Sequence, residues 1–316
     1  MLQPPVEDPV ITFAAWLACT PECGGPSCES AWPASRLLVV RSGDLGPRTT
    51  TDDVRDAVLG SLPDGAGWSV DGRVGALLVG MPERGSIAVV DVPTGEEPVE
   101  DVLSVRLDRQ GEGFGTSVAW ADTDGDGEPE LWVGAPDADG GRGIVYRFPP
   151  GTTDPAGYDL RIVGGMPADG FGTALVACGD VTGDGLQDLL ATSPRFAEPT
   201  DPSWTRPGDV GVPRLAGAVV LLASERLATG RQAPWDVGPV WWGPEAAAGA
   251  GYAMACGSDL TGDGSADVAI GAPFVGSDDT GVVFVQPGGL REAPGGMLTE
   301  EDSWTVLPRE TERGRF

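Results

Sequence analysis

The chain contains no histidine, no lysine and no asparagine, and all 20 of its cationic side chains are arginine. Histidine-dependent triads, lysine Schiff bases and histidine-ligated zinc are therefore excluded, leaving only carboxylate, Ser/Thr, Tyr or Cys chemistry. Without asparagine there is no N-glycosylation sequon. Positive charge is scarce overall: 48 acids against 20 bases leave a formal net charge of −28. That balance excludes a nucleic-acid partner, which needs a basic footprint, and disfavours an anionic membrane surface. No apolar run is long enough to cross a membrane as a helix, so membrane insertion is not expected. Cysteine is sparse too, with five residues. Cys19, Cys23 and Cys28 lie in CTPECGGPSC, a spacing too irregular for a zinc ribbon. They point to one or two disulfides in an oxidising compartment. Cys178 and Cys256 precede two Asp-rich turns at near-equivalent strand positions, where small buried residues belong, and read as core packing.

What the chain does have is glycine, 49 residues of it, with 41% hydrophobic residues, the composition of a turn-rich globular protein. It also has a block that occurs three times: GFGTSVAWADTDGDGEPELWVGAP from Gly113, GFGTALVACGDVTGDGLQDLLATSP from Gly170, and GYAMACGSDLTGDGSADVAIGAP from Gly251. Self-similarity at this spacing means a repeat architecture. In the first block Asp122, Asp124 and Asp126 occupy positions 1, 3 and 5 of a turn, with Glu130 at position 9. Carboxylates so spaced converge when glycines let the backbone curl, and hard oxygen donors in a cluster suit Ca²⁺. The second block offers Asp180, Thr182, Asp184 and Asp188, and the third Asp259, Thr261, Asp263 and Asp267. An EF-hand opens the same way but closes on a bidentate Glu at position 12 between helices. Here position 12 is Val133, Ala191 or Ile270, and the following apolar runs stop at proline, which reads as strand. Asp-Gly hairpin turns explain the glycines but not the outlying acid at position 9.

The Gly-Phe-Gly start, the Asp-x-Asp-Gly-Asp-Gly loop and the Gly-Ala-Pro end resemble FG-GAP repeats, the blades of integrin alpha-subunit head propellers and of many bacterial secreted proteins. The resemblance implies an all-β fold, a partial β-propeller with four to five blades visible. Each block then supplies two strands of a four-stranded blade with Ca²⁺ in the loop between them. It carries ligand roles onto the acids and threonines named above, with Glu128, Leu186 and Ser265 at position 7 counted in the same sets. Departures are Thr for Asp at position 3 twice, Glu130 where Asp is usual, and Thr192-Ser193-Pro194 in place of Gly-Ala-Pro. A weaker block around Asp71 has lost the acids, and no metal is expected there.

The division expected is an N-terminal Cys-containing segment, 1–34, followed by a propeller, 35–316, in blocks near 55–110, 111–167, 168–246 and 247–313. Runs from Ser86, Gly143, Gly217 and Gly281 supply third strands, and segments near Leu103 and Asp159 fourth strands. The stretch from Ser35 to Val40 offers a further blade. Aromatic starts are assigned to Phe114, Phe171 and Tyr252, and Gly314-Arg315-Phe316 has the look of another block opening. The proline-rich insertion between Pro194 and Gly217, with Trp204, is a candidate binding loop. Trp241 and Trp242 point to opposite sides of one strand and are expected in core. The function implied is a calcium-stabilised module for adhesion to a protein or glycan, extracellular or at the cell envelope. The alternative is a secreted glycan- or lipid-active hydrolase or lyase, whose carboxylate pair would have to come from outside the calcium loops.

Overall fold

A computed structural model describes residues 10–12, 37–41, 57–59, 67–73, 76–91, 103–196, 213–276, 280–293, 295–299 and 304–306. Alternating apolar runs and Gly/Pro/Asp turns resolve into antiparallel sheets. One small sheet joins β1 (Val10–Thr12), β2 (Leu37–Arg41) and β3 (Ala57–Leu59). A four-stranded sheet follows: β4 (Ser69–Arg73), β5 (Ala76–Met81), β6 (Ser86–Asp91) and β7 (Leu103–Asp108). The next runs β8 (Ser117–Ala121), β9 (Glu130–Ala135), β10 (Ile144–Phe148) and β11 (Leu160–Val163), with β15 (Gly230–Gln232) added outside. Then come β12 (Leu175–Gly179), β13 (Asp188–Ser193), β14 (Ala218–Leu222) and β16 (Val240–Trp242), extended by β20 (Gly296–Met297). The last holds β17 (Ala253–Ser258), β18 (Asp267–Ala272), β19 (Val282–Gln286) and β21 (Trp304–Val306).

The first strands of successive sheets stand side by side, β4 against β8, β8 against β12 and β12 against β17. This is the blade arrangement of a β-propeller, seen here as an arc. The outermost strands β15 and β20 come from the following block and pair in parallel with β11 and β16. Each covers a sheet edge that would otherwise expose unpaired backbone groups.

Strands β5, β9 and β13 are buried along their whole length, and both faces of β9 and β13 are covered by neighbouring blades. Alternate residues therefore feed different cores: Trp132 points into the cluster shared with Leu189 and Val220, whereas Leu131 and Val133 point into the one shared with Leu78 and Ile87. Trp241 and Trp242 divide in the same way, each into a different inter-sheet cluster. Phe114 and Phe171, 0% and 1% exposed, plug the interface with the preceding blade.

The third block differs from its sequence reading. The backbone N–H groups of Gly115, Gly172 and Gly251 donate equivalently to Gly134, Thr192 and Gly271, so Ala250, and not Tyr252, stands where Phe114 and Phe171 stand. Ala250 is 0% exposed and Tyr252 is 72% exposed, its ring edge-on to Phe274. Two overlapping starts are available, Gly249-Ala250-Gly251 and Gly251-Tyr252-Ala253, and the observed packing uses the one with the small residue.

The glycine of the Gly-Ala-Pro segment has a clear cause. A Cβ on Gly134 would lie 2.0 Å from the carbonyl oxygen of Gly172 in the next blade, and one on Gly80 would lie 2.1 Å from that of Gly115. Strand β2 pairs with β1 and β3 and does not complete the final sheet. Cys19, Cys23, Cys28, Trp204 and Phe316 lie outside the described residues. Among the described residues, no helix is long and apolar enough to cross a membrane.

Candidate metal centres

Each Asp-rich loop links the first strand of a blade to the second, β8 to β9, β12 to β13 and β17 to β18. All three loops are tied by one hydrogen-bond pattern. The first-position Asp122, Asp180 and Asp259 each accept the N–H groups of two glycines, Gly125 and Gly127, Gly183 and Gly185, and Gly262 and Gly264, at 2.6 to 3.0 Å, and Asp180 and Asp259 also accept those of Asp184 and Asp263 at 3.1 Å. Those glycines adopt φ between +76° and +93°, where a side chain is disfavoured. The fifth-position Asp126, Asp184 and Asp263 accept the N–H groups of Glu128, Leu186 and Ser265 at 2.7 to 2.8 Å. In the first loop Asp124 accepts from the Asp126 N–H at 3.1 Å.

The ninth-position acids close the loops from below, at the start of the second strand. Asp188 accepts from Val181 and Thr182, and Asp267 from Leu260 and Thr261. Glu130, one methylene longer, accepts from the N–H and hydroxyl of Thr123. All three are at most 3% exposed. Burial pushes the carboxyls of Glu130 and Asp188 up from their usual values. For Asp267 burial acts in the same direction, but the N–H groups of Gly288, Thr261 and Leu260 outweigh it and hold the carboxyl down.

This folding brings ligand atoms together. Asp122, Asp124, Asp126 and Glu130 each present an oxygen within 4.8 Å of the others, as do Asp180, Asp184 and Asp188, and Asp259, Asp263 and Asp267. Oxygens on opposite sides of one Ca²⁺ stand about 4.6 to 5.2 Å apart, so each cluster fits a single ion. The clusters also contain polar atoms with nothing to bind. Glu130 Oε1, Asp184 Oδ2 and Thr182 Oγ1 are shielded from solvent and have no hydrogen-bond partner. Such orphans are costly unless an unplaced water or ion satisfies them. Thr261, at the same position as Thr182, donates to Asp267 Oδ1 at 3.4 Å. Glu128, Leu186 and Ser265 join the pattern through their backbone N–H groups. Outside the expected sets, the carboxylate of Glu225 stands against the second cluster. Nothing in local spacing marked it, because it lies on the turn after β14.

In the block without acids, Asp71 is engaged otherwise: its carboxylate accepts the N–H of Gly72 and, at 2.7 Å, that of Trp120 in the neighbouring sheet.

Cys178 packs in the core as read and Cys256 is partly buried against it, but the reading of core packing alone is corrected. They form a disulfide, with Cα atoms 5.1 Å apart and 78 residues between them in sequence. Cys178 stands two residues before Asp180, at a register shift in β12, and Cys256 three before Asp259, so their positions are offset by one residue; the sulfurs meet because β12 and β17 are neighbours around the arc. The bridge ties adjacent blades next to the second and third loops.

The FG-GAP repeat family model matches residues 114–146, 171–208 and 250–285. Its third match opens at Ala250, the frame selected by packing. Integrin alpha-5 of Xenopus laevis is 31% identical over 192 residues, covering 58% of this chain and 16% of that protein. Human integrin alpha-8 is 34% identical over 188 residues, with the same coverages of 58% and 16%. Integrin alpha-PS2 of Drosophila melanogaster is 30% identical over 172 residues, 54% of this chain and 11% of that protein. The chain thus spans less than a fifth of the length of these relatives. It carries three FG-GAP repeats of a β-propeller and is homologous to integrin alpha subunits.

Proposed function

We propose that the chain is a calcium-stabilised adhesion or interaction module that works outside the cytoplasm, presenting loops between its blades to a protein or glycan. The observation that carries this reading is the set of three equivalent carboxylate clusters, with Glu130 Oε1 buried and unpartnered in the first. Homology to integrin alpha subunits supports an interaction role. The Cys178–Cys256 disulfide supports an oxidising compartment, where free calcium is also abundant.

The physical logic is that each loop holds three or four carboxylates within one coordination sphere at the rim of a blade interface. Without a cation they repel one another and loosen the loop. Bound calcium would join Asp122, Asp124, Asp126 and Glu130, and their counterparts, into rigid corners, fixing the spacing between strands that carry the binding loops. Extracellular modules bind calcium with Kd of roughly 10⁻⁴ to 10⁻³ M, so at about 1 mM each site adds about 0.4 to 1.4 kcal/mol.

Isothermal titration and thermal melting of the full chain, in calcium and in chelator, test the proposal. Three ions bound per chain and a melting temperature raised by a few degrees are expected. Absence of calcium binding, or identical melting in both conditions, overturns it.

A further inference from the structure

The three loops are equivalent in backbone but not in surroundings, and the difference lies on the turn that follows the third strand of each blade. Register pairs Leu189 with Leu222, Leu131 with Phe148 and Val268 with Gln286. Two steps further along the third strand, Pro150, Ser224 and Gly288 occupy one position, and Gly151, Glu225 and Gly289 occupy the next. Ser224 and Gly288 donate their N–H groups to the free oxygens of Asp188 and Asp267, at 2.9 and 2.7 Å. Pro150 has no N–H to give, which accounts for the unpartnered Glu130 Oε1. At the following position only the second blade has a side chain. Ser224 pins that turn to the loop twice, since its hydroxyl also donates to the carbonyl of Gln187.

Glu225 is thereby carried to the second cluster. Its two carboxylate oxygens and Asp184 Oδ2 are all shielded from water and all lack a hydrogen-bond donor. The Asp184 and Glu225 carboxylates lie within reach of one another, with Asp188 next in the field of Glu225. Arg291 approaches Glu225 only to 3.8 Å, from the more exposed side. Thr182, 3% exposed, leaves its hydroxyl unpartnered beside the Asp184 and Asp188 carboxylates. Carboxylates in mutual contact repel unless a cation or a shared proton lies between them, and a cation would also satisfy the buried Thr182 Oγ1.

We infer that Glu225 is a ligand of the second cation site, contributed from outside the loop, so that this site holds four carboxylates where the third holds three. This rests on the calcium reading of the loops. Ligand charge is a main determinant of calcium affinity, so the second site binds more tightly than the third, and its preference comes from one residue on a different strand connection.

Calcium titration of the full chain and of Glu225→Gln tests the assignment, with Arg291→Gln as the control. Removing the charge of Glu225 should weaken one of the three sites about tenfold and leave the other two unchanged. In chelator the same variant should melt at or above the parent temperature, because a repulsion has been removed; in calcium it should melt below the parent. Arg291→Gln should retain full affinity at all three sites. Unchanged calcium affinity in Glu225→Gln, or equal loss of melting temperature with and without calcium, overturns the assignment and leaves the calcium reading standing. A parent chain that binds no calcium overturns both.

Discussion

Replacing the disulfide cysteines offers the sharpest test of the blade arrangement, because Cys178 and Cys256 meet only if β12 and β17 are neighbours. They are 78 residues apart. Cross-linking a loop of that length removes unfolded-state entropy worth about 4.5 kcal/mol at 25 °C in the chain-entropy model, and measured values for native bridges run to about 2 to 5 kcal/mol. At about 2 to 4 °C per kcal/mol for a domain approaching this size, the double variant Cys178→Ala/Cys256→Ala should melt about 10 °C below the parent. Reductant should lower the parent toward the variant and leave the variant close to where it was. Digestion without reduction should yield one linked pair of peptides containing these two cysteines. Thiols at 178 and 256 that alkylate freely in the unreduced, denatured protein, together with a melting temperature insensitive to reductant, would refute the reasoning.

Further outcomes follow from individual contacts. Asp126→Ala, in a loop with four carboxylates, should reduce the calcium-dependent rise in melting temperature more than Asp263→Ala, in a loop with three; equal losses in paired melts with calcium and chelator would contradict the charge argument. Gly134→Ala places a methyl 2.0 Å from the carbonyl oxygen of Gly172 and should destabilise by about 3 kcal/mol, whereas Gly127→Ala, with φ of 88° and open space, should lose only about 1 kcal/mol; denaturant midpoints measure both. Asp169 is 2% exposed, and burial raises its carboxyl pKa to about 7 despite the Met166 N–H, Arg142 and Arg195. The folded state therefore holds this proton more tightly than the unfolded chain, so the stability linked to it is full below about pH 4 and is lost as pH rises to about 7, by about 4 kcal/mol. In chelator, Asp169→Asn should gain on the parent across that window; a stability difference independent of pH would count against it.

Much of this protein was legible in one dimension because its decisive features are local. The acids of each loop lie within nine residues of one another, and Gly125 and Gly127 with their counterparts set the backbone that gathers them. The strands were legible for the same reason, since apolar runs bounded by Gly, Pro and Asp leave little choice of structure. The burial of Trp241 and Trp242 on opposite faces follows from the two-residue period of a strand packed on both sides. What required the tertiary structure depends on contacts between blades. The Cys178–Cys256 bridge exists because β12 and β17 lie side by side and the register shift at Cys178 sets it beside Cys256, a fact absent from any local window. The frame of the third block, read from its aromatic as Tyr252, is set by the burial of Ala250 and the Gly251 N–H bond to Gly271, in agreement with the family match that opens at Ala250. Glu225 looked like one acid among 48 until the register of β13 and β14 carried it to Asp184. Short-range spacing determined which carboxylates gather in each loop; long-range pairing decided which loop has a further carboxylate beside it, because clustering depends on distance in space and not along the chain.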